Sequence, residues 1–323
     1  MSVSLQGSMV AIVTPFTHDA IDEAAFKRLI ETHIKEGTSA IVPCGTTGES
    51  ATLSFAEHDH VIELAVQYAR GRISVIAGTG SNNTREAIRL TKHAKEAGAD
   101  AALLISPYYN KPTQRGLFLH FKAISEAIDI PLVVYNIASR TAVNIEPETF
   151  AQLATLQNIV AVKESSGNLE QMSRILQLTK GKLTLLSGDD GLTLPVLAIG
   201  GKGVISVVAN LVPRDVAAMV NAYLAGKQDE ALQWHQRLLP LVKALFLETN
   251  PIPVKTAMGL LGMIEPGLRL PLCEMSDANE ERLLQALEAY GLLNTGAGGK
   301  PAPVVRTNKR AEVRGRRSDV RRK

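Results

Sequence analysis

The chain has 323 residues, 45% hydrophobic and 21% charged, enough for one large α/β barrel or two medium domains with a sizeable core. No apolar run is long enough to cross a bilayer, and two cysteines, Cys44 and Cys273, exclude a disulfide framework and fit a reducing cytoplasm. The net charge of +3 is uneven: residues 296–323 carry ten Lys and Arg against two acids, and the rest carries 25 bases against 30 acids, so the mildly acidic body argues against nucleic-acid binding outside that tail.

The opening stretch, MSVSLQGSMVAIVTPF, lacks a basic segment followed by an apolar one, so no secretory signal is expected. From there strand-like and helix-like segments alternate. VAIVTPF (10–16) is a predicted strand and precedes the amphipathic DEAAFKRLIETHIKEG. AIVPCG (40–45) precedes SFAEHDHVIELAVQYARG, SVIAGTG (74–80) precedes NTREAIRLTKHAKEAG, and AALLISP (101–107) precedes TQRGLFLHFKAISEAI. PLVVYNI (131–137) precedes EPETFAQLATL, and IVAVKES (159–165) precedes NLEQMSRILQLTKG. LTLLSGD (183–189) precedes LTLPVLAIGG, and GVISVVA (203–209) precedes VPRDVAAMVNAYLAG.

The strands are short, apolar and mostly non-alternating, as in parallel sheets covered on both faces. The helices show i, i+3, i+4 apolar spacing, and several end at glycine (Gly37, Gly71, Gly98, Gly181). Eight such units predict a (β/α)₈ TIM barrel over residues 1–226. A doubly wound nucleotide-binding sheet is rejected, because GTGSN at 78–82 lacks the third glycine of its fingerprint. Residues 227–295 read as an appended C-terminal helical region, including DEALQWHQRLLPLVKALF and NEERLLQALEAYGLL. The tail, 296–323, combines Gly, Pro and dense like charge without apolar periodicity and is predicted to be disordered.

Chemistry in such barrels gathers at the C-terminal ends of the strands. There the second strand offers Thr46, Thr47 and Glu49, the fourth Tyr108 and Tyr109, the fifth Tyr135 and Arg140, and the sixth Lys163, Glu164 and Ser165. The sixth raises a question, since an apolar run closes on Lys163 and a buried ammonium is costly. Either Lys163 reaches solvent, or the protein uses a desolvated amine as a nucleophile toward a ketone, forming a Schiff base and then an enamine. Tyr135 is placed to carry the protons, and hydroxyls and loop amides near Thr46 and Thr47 are placed to hold a ketoacid carboxylate. Each residue has a plainer reading. Tyr135 fits a core phenol, Arg140 a surface cation, Thr46-Thr47-Gly48 a simple turn, and Cys44 a small buried hydrophobe. Asp189 and Asp190 read as helix-capping residues rather than metal ligands, and no metal is expected.

The combination GTTGE at 45–49, YN-x-x-SRT at 135–141 and KE-x-SG at 163–167, with SPYYNKP at 106–112 and NPIPVK at 250–255, resembles the dihydrodipicolinate synthase family of Schiff-base pyruvate aldolases, from about residue 5 to 293. The resemblance implies condensation of pyruvate with L-aspartate-4-semialdehyde in lysine and diaminopimelate biosynthesis, without a cofactor. It implies that Lys163 forms the Schiff base, and that Tyr135 and Thr47 belong to a proton relay completed by Tyr109 of a neighbouring subunit. Thr46 and Thr47 would hold the pyruvate carboxylate, Arg140 the carboxylate of the aldehyde, and Gly188 and Ile205 would line the pocket. It further implies a homotetramer built as a dimer of tight dimers, and a feedback site for L-lysine at Ser50, Ala51, His58, Asn82, Glu86 and Tyr108. Phe55 stands where the family often has a histidine. Ala138 and Ala142 stand where it commonly has Pro and Gly, so a differently shaped Arg140 loop is expected. A sister activity, that of N-acetylneuraminate lyase or a keto-deoxy sugar acid aldolase, is the enzyme alternative, disfavoured by GTTGE and by Arg140. The basic tail has no counterpart in the family and leaves nucleic-acid binding as the alternative from another class.

Overall fold

The structure, a computed structural model, describes residues 5–293. The tail at 296–323, expected to be disordered, lies outside the described residues. Eight parallel strands close into a barrel: β1 (Gly7–Ala11), β2 (Ala40–Val42), β3 (Ser74–Gly78), β4 (Ala101–Ile105), β5 (Leu132–Asn136), β6 (Ile159–Glu164), β7 (Thr184–Ser187) and β8 (Gly203–Ser206). Each pairs with its sequence neighbours, and β1 closes the ring on β8 through Gly7↔Gly203 and Met9↔Ile205. Helices fill the connections, so this is the expected (β/α)₈ architecture.

Side chains alternate across each strand. Met9, Ala11, Val42, Ile76, Val133, Ala161 and Ile205 fill the barrel interior. The intervening Val10, Ile41 and Val75 face the helices in one buried cluster, and Leu132, Val134 and Val162 do so in another. Because both faces are covered, the strands read as continuous apolar runs rather than alternating ones.

The first strand differs from its prediction, running over 7–11 instead of 10–16. Pro15 has no N–H to give a ladder, and the Val13 N–H donates to Asn210 Oδ1 at 3.2 Å instead. Phe16–Thr17 pairs antiparallel with Ala20–Ile21 in a small hairpin. Beyond the barrel, helices at Gln228–Ala244, Ile252–Leu260 and Asp277–Tyr290 pack against its outside. Their Leu238, Leu241, Val254 and Leu283 share one buried cluster with Val10 and Ile30. Among the described residues no helix is long and apolar enough to cross a membrane.

Candidate active site

Lys163 lies two residues after Ala161, an interior position, so strand alternation sends its side chain into the barrel. Tyr135 lies two after Val133 on β5, and the two strands pair with Tyr135 directly beside Lys163. The amine consequently stands 4.0 Å from the centroid of the Tyr135 ring. Lys163 is only 6% exposed and, among the described residues, makes no ion pair. The solvated-end reading of Lys163 is therefore excluded. Gly188, just past β7, presses on its stem: a Cβ there would come within 3.0 Å of Lys163 Cε and 2.0 Å of Ser165 Oγ. Ile205 is buried on β8 among the same interior side chains.

Thr46 and Thr47 sit in the turn after β2, which Glu49 fastens from behind. Glu49 takes a left-handed φ of 55°, and its N–H donates to the Thr46 carbonyl at 3.1 Å. Its buried carboxylate accepts from Lys255 Nζ at 2.5 Å and from the Arg269 N–H at 3.2 Å. Lys255 also donates to the Thr14 carbonyl at 3.0 Å and is fully buried. Burial pushes the Lys255 amine down, and the adjacent Glu49 carboxylate opposes that shift. Removing one partner of a buried ion pair strands the other charge at a cost of about 3–5 kcal/mol. Lys255→Met is expected to lose stability of that order in chemical denaturation, and Glu49→Gln combined with Lys255→Met to recover most of it. A loss in the double variant equal to the sum of the two single losses would show that the pair is not coupled.

Asn250 joins this turn to Arg140. Its Nδ2 donates to Thr47 Oγ1 at 3.0 Å, and its carbonyl accepts from Arg140 Nη2 at 3.0 Å. Arg140 projects from a single helical turn, Ala138–Thr141, which Ala142 closes at a φ of 59°. That conformation costs an L-residue about 1–2 kcal/mol. The Arg140 loop thus makes its tight turn on an alanine, and the Asn250 carbonyl accepts from the guanidinium.

Tyr109 is not brought to Lys163 within the chain. It lies on the loop after β4 with 90% of its surface exposed, on a left-handed φ of 72°. Tyr108 beside it turns back, its carbonyl accepting from Asn82 Nδ2 at 3.1 Å. Glu86 occupies the first turn of the helix Thr84–Glu96, and Ser50 and Ala51 form the short turn after Glu49. His58 is buried rather than a surface helix residue, its Nε2–H donating to the Gly78 carbonyl at 2.9 Å. Cys44 is buried, and desolvation pushes its thiol up, which suits a small apolar filler and not a nucleophile. Asp189 caps the turn at Gly191, and Asp190 accepts from the N–H groups of Val207 and Val208 after β8.

A profile of the dihydrodipicolinate synthetase family matches residues 4–290. The chain belongs to this family. It is 60% identical over 289 residues to the 4-hydroxy-tetrahydrodipicolinate synthase of Syntrophobacter fumaroxidans, covering 89% of this chain and 99% of that protein. The dihydrodipicolinate synthase structure from Aquifex aeolicus superposes with a TM-score of 0.89 at 53% identity, covering 90% of this chain and 100% of that one. A structure from Cyanidioschyzon merolae, solved with lysine bound, gives a TM-score of 0.86 at 42% identity over 89% of this chain and 99% of that one. The basic tail at 296–323 lies beyond the family match.

Two residues of this dihydrodipicolinate synthetase family member escape a reading by strand ends. Asn250 and Lys255 lie in the segment before and within the helix Ile252–Leu260, outside the eight β/α units. A signal for Lys255 does exist: it is a lone cation inside the apolar run PIPVKTAMGLL. Asn250 opens the NPIPVK motif quoted above, but that motif alone assigns it no role.

Proposed function

We propose that this chain catalyses the 4-hydroxy-tetrahydrodipicolinate synthase reaction, condensing pyruvate with L-aspartate-4-semialdehyde in the cytoplasm. The observation that carries this reading is a buried lysine without a counter-charge, at the inner end of β6 and facing a phenol ring. In its free-amine form, the only one with a lone pair to give, Nζ attacks C2 of pyruvate to give a carbinolamine. Protonation and loss of the hydroxyl as water leave an iminium, and loss of a methyl proton from C3 gives the enamine. C3 then bonds to the aldehyde carbon, whose oxygen takes up a proton. The amine of the aldehyde substrate finally adds to the imine carbon, closing a ring and releasing Lys163. No step calls for a metal or a cofactor.

Every step moves a proton, and Tyr135 is the nearest phenol. The relay continues through a threonine hydroxyl and Tyr109 of a neighbouring subunit, in a homotetramer built from tight dimers. The exposure of Tyr109 supports its delivery to a partner. Thr47, expected in the relay, already has its oxygen held by Asn250, whereas the Thr46 side chain makes no hydrogen bond among the described residues. We therefore move the relay hydroxyl to Thr46, leave Thr47 to hold the pyruvate carboxylate, and keep Arg140 for the carboxylate of the aldehyde. Gly188 and Ile205 line the pocket. In the domain division expected from sequence, 1–226 as catalytic barrel and 227–295 as appended region, Asn250 and Lys255 come from the second part. Pyruvate with L-aspartate-4-semialdehyde is expected to give steady turnover. Turnover confined to pyruvate with a sugar aldehyde would move the chain to the sister lyases.

L-Lysine is a partial feedback inhibitor in this reading, bound by Ser50, Ala51, His58, Asn82, Glu86 and Tyr108. Burial holds the His58 ring below its usual pKa, and with Nε2–H committed to Gly78 its buried Nδ1 makes no hydrogen bond and faces Asp59 Oδ1 at 3.9 Å. Glu86 suits the α-ammonium of the inhibitor. Tyr108 and Tyr109 are adjacent, so a ligand at one reaches the relay at the other. Glu86→Ala is expected to abolish inhibition and spare most turnover. Calorimetry that detects no binding at millimolar L-lysine would reject the site.

A further inference from the structure

We infer that Asn250 is a positioning residue that sets the direction of the Thr47 hydroxyl, so that Thr47 donates to the carboxylate of pyruvate. The inference rests on the proposed function for its substrate. A carboxylate is acceptor-only, whereas a threonine hydroxyl both donates one proton and accepts. Left alone, Thr47 can point its proton at either side. Asn250 Nδ2 approaches Thr47 Oγ1 at 3.0 Å, and both residues are buried. An amide N–H can only donate, so it occupies the oxygen from behind and leaves the O–H to point elsewhere. A threonine prepared in this way presents its proton toward an anion before the anion arrives.

The other end of the same amide supports a retained donor. Asn250 Oδ1 is buried without a hydrogen-bond partner, which is unfavourable for a carbonyl oxygen. An apolar side chain of similar shape would avoid that cost but would lose the donor to Thr47. The contact to Arg140 comes from the main-chain carbonyl, so the side chain of Asn250 acts on Thr47 alone. The two substrate sites are thereby served by different atoms of one residue.

This division gives the test. Asn250→Asp is isosteric but accepts where the amide donates, so it turns the Thr47 proton away from the pocket. The pyruvate concentration that half-saturates borohydride trapping at Lys163, and the KM for pyruvate, are expected to rise about 10- to 100-fold, the scale of one hydrogen bond to a charged group. The KM for L-aspartate-4-semialdehyde is expected to stay within about twofold, because the main-chain contact to Arg140 survives. Should the aspartate variant fail to fold, Asn250→Ala removes the donor without adding a charge and is expected to shift pyruvate in the same direction. In a Thr47→Val background either change is expected to add nothing, since no hydroxyl remains to direct. An unchanged pyruvate KM in Asn250→Asp, parallel rises in both KM values, or losses that add to those of Thr47→Val would each overturn the inference. A wild-type enzyme that traps no pyruvate at Lys163 would instead overturn the function on which it rests.

Discussion

Lys163→Arg is expected to abolish pyruvate capture while leaving the fold in place. The guanidinium stays protonated and offers no lone pair to a carbonyl carbon. Removal of a covalent nucleophile typically costs about 10⁶-fold in kcat, so turnover should fall to the detection limit. Borohydride added to wild-type enzyme with pyruvate should attach a pyruvate-derived mass to Lys163, and peptide mapping should find none in the variant. The competing amine is Lys255, the other buried lysine among the described residues. It is tied to Glu49 and to the Thr14 carbonyl, and so keeps its proton in use. An adduct mapped to Lys255, or to any lysine other than Lys163, would sink the mechanism.

Tyr135→Phe keeps the ring beneath the amine and removes only the phenolic oxygen. General acid–base groups contribute about 10²–10⁴-fold, so kcat should fall by that factor. The ring still fills the barrel interior beside Val133 and Leu186, and thermal unfolding should therefore change little. Borohydride trapping should slow with kcat, because carbinolamine formation and dehydration both need the proton. Undiminished turnover in the folded variant would return Tyr135 to the role of a core phenol.

The barrel was legible because burial on both faces makes each strand a mostly apolar run, and the turns between units carry distinct chemistry. Its first strand was misread for the same reason. Gly7 and Ser8 fall outside the predicted 10–16, yet Gly7 pairs with Gly203, where a Cβ on Gly203 would come within 2.1 Å of the Gly7 carbonyl. Small residues were needed there, and small residues do not look like a strand. Lys163 was legible as an interruption, since one cation at the end of an apolar run has few explanations. The links from Thr47 to Asn250 and from Glu49 to Lys255 span 203 and 206 residues. No periodicity records a contact of that range. Tyr109 was legible at a strand end, but within the chain its side chain is 90% exposed, so the barrel itself assigns it no partner.

The ion pair beneath the Thr46–Thr47 turn also restricts how this protein can diverge. A descendant that changes Glu49 or Lys255 alone must pass through an intermediate carrying an orphaned charge, and a loss of about 3–5 kcal/mol is a large share of the usual 5–15 kcal/mol margin. A descendant that exchanges both for well-packed neutral residues sits on nearly level ground. The two positions are therefore inherited as a single character, although more than two hundred residues of chain separate them. Drift can rewrite the exposed face of every helix one residue at a time, but at this point beneath the catalytic mouth it must take both steps together or neither.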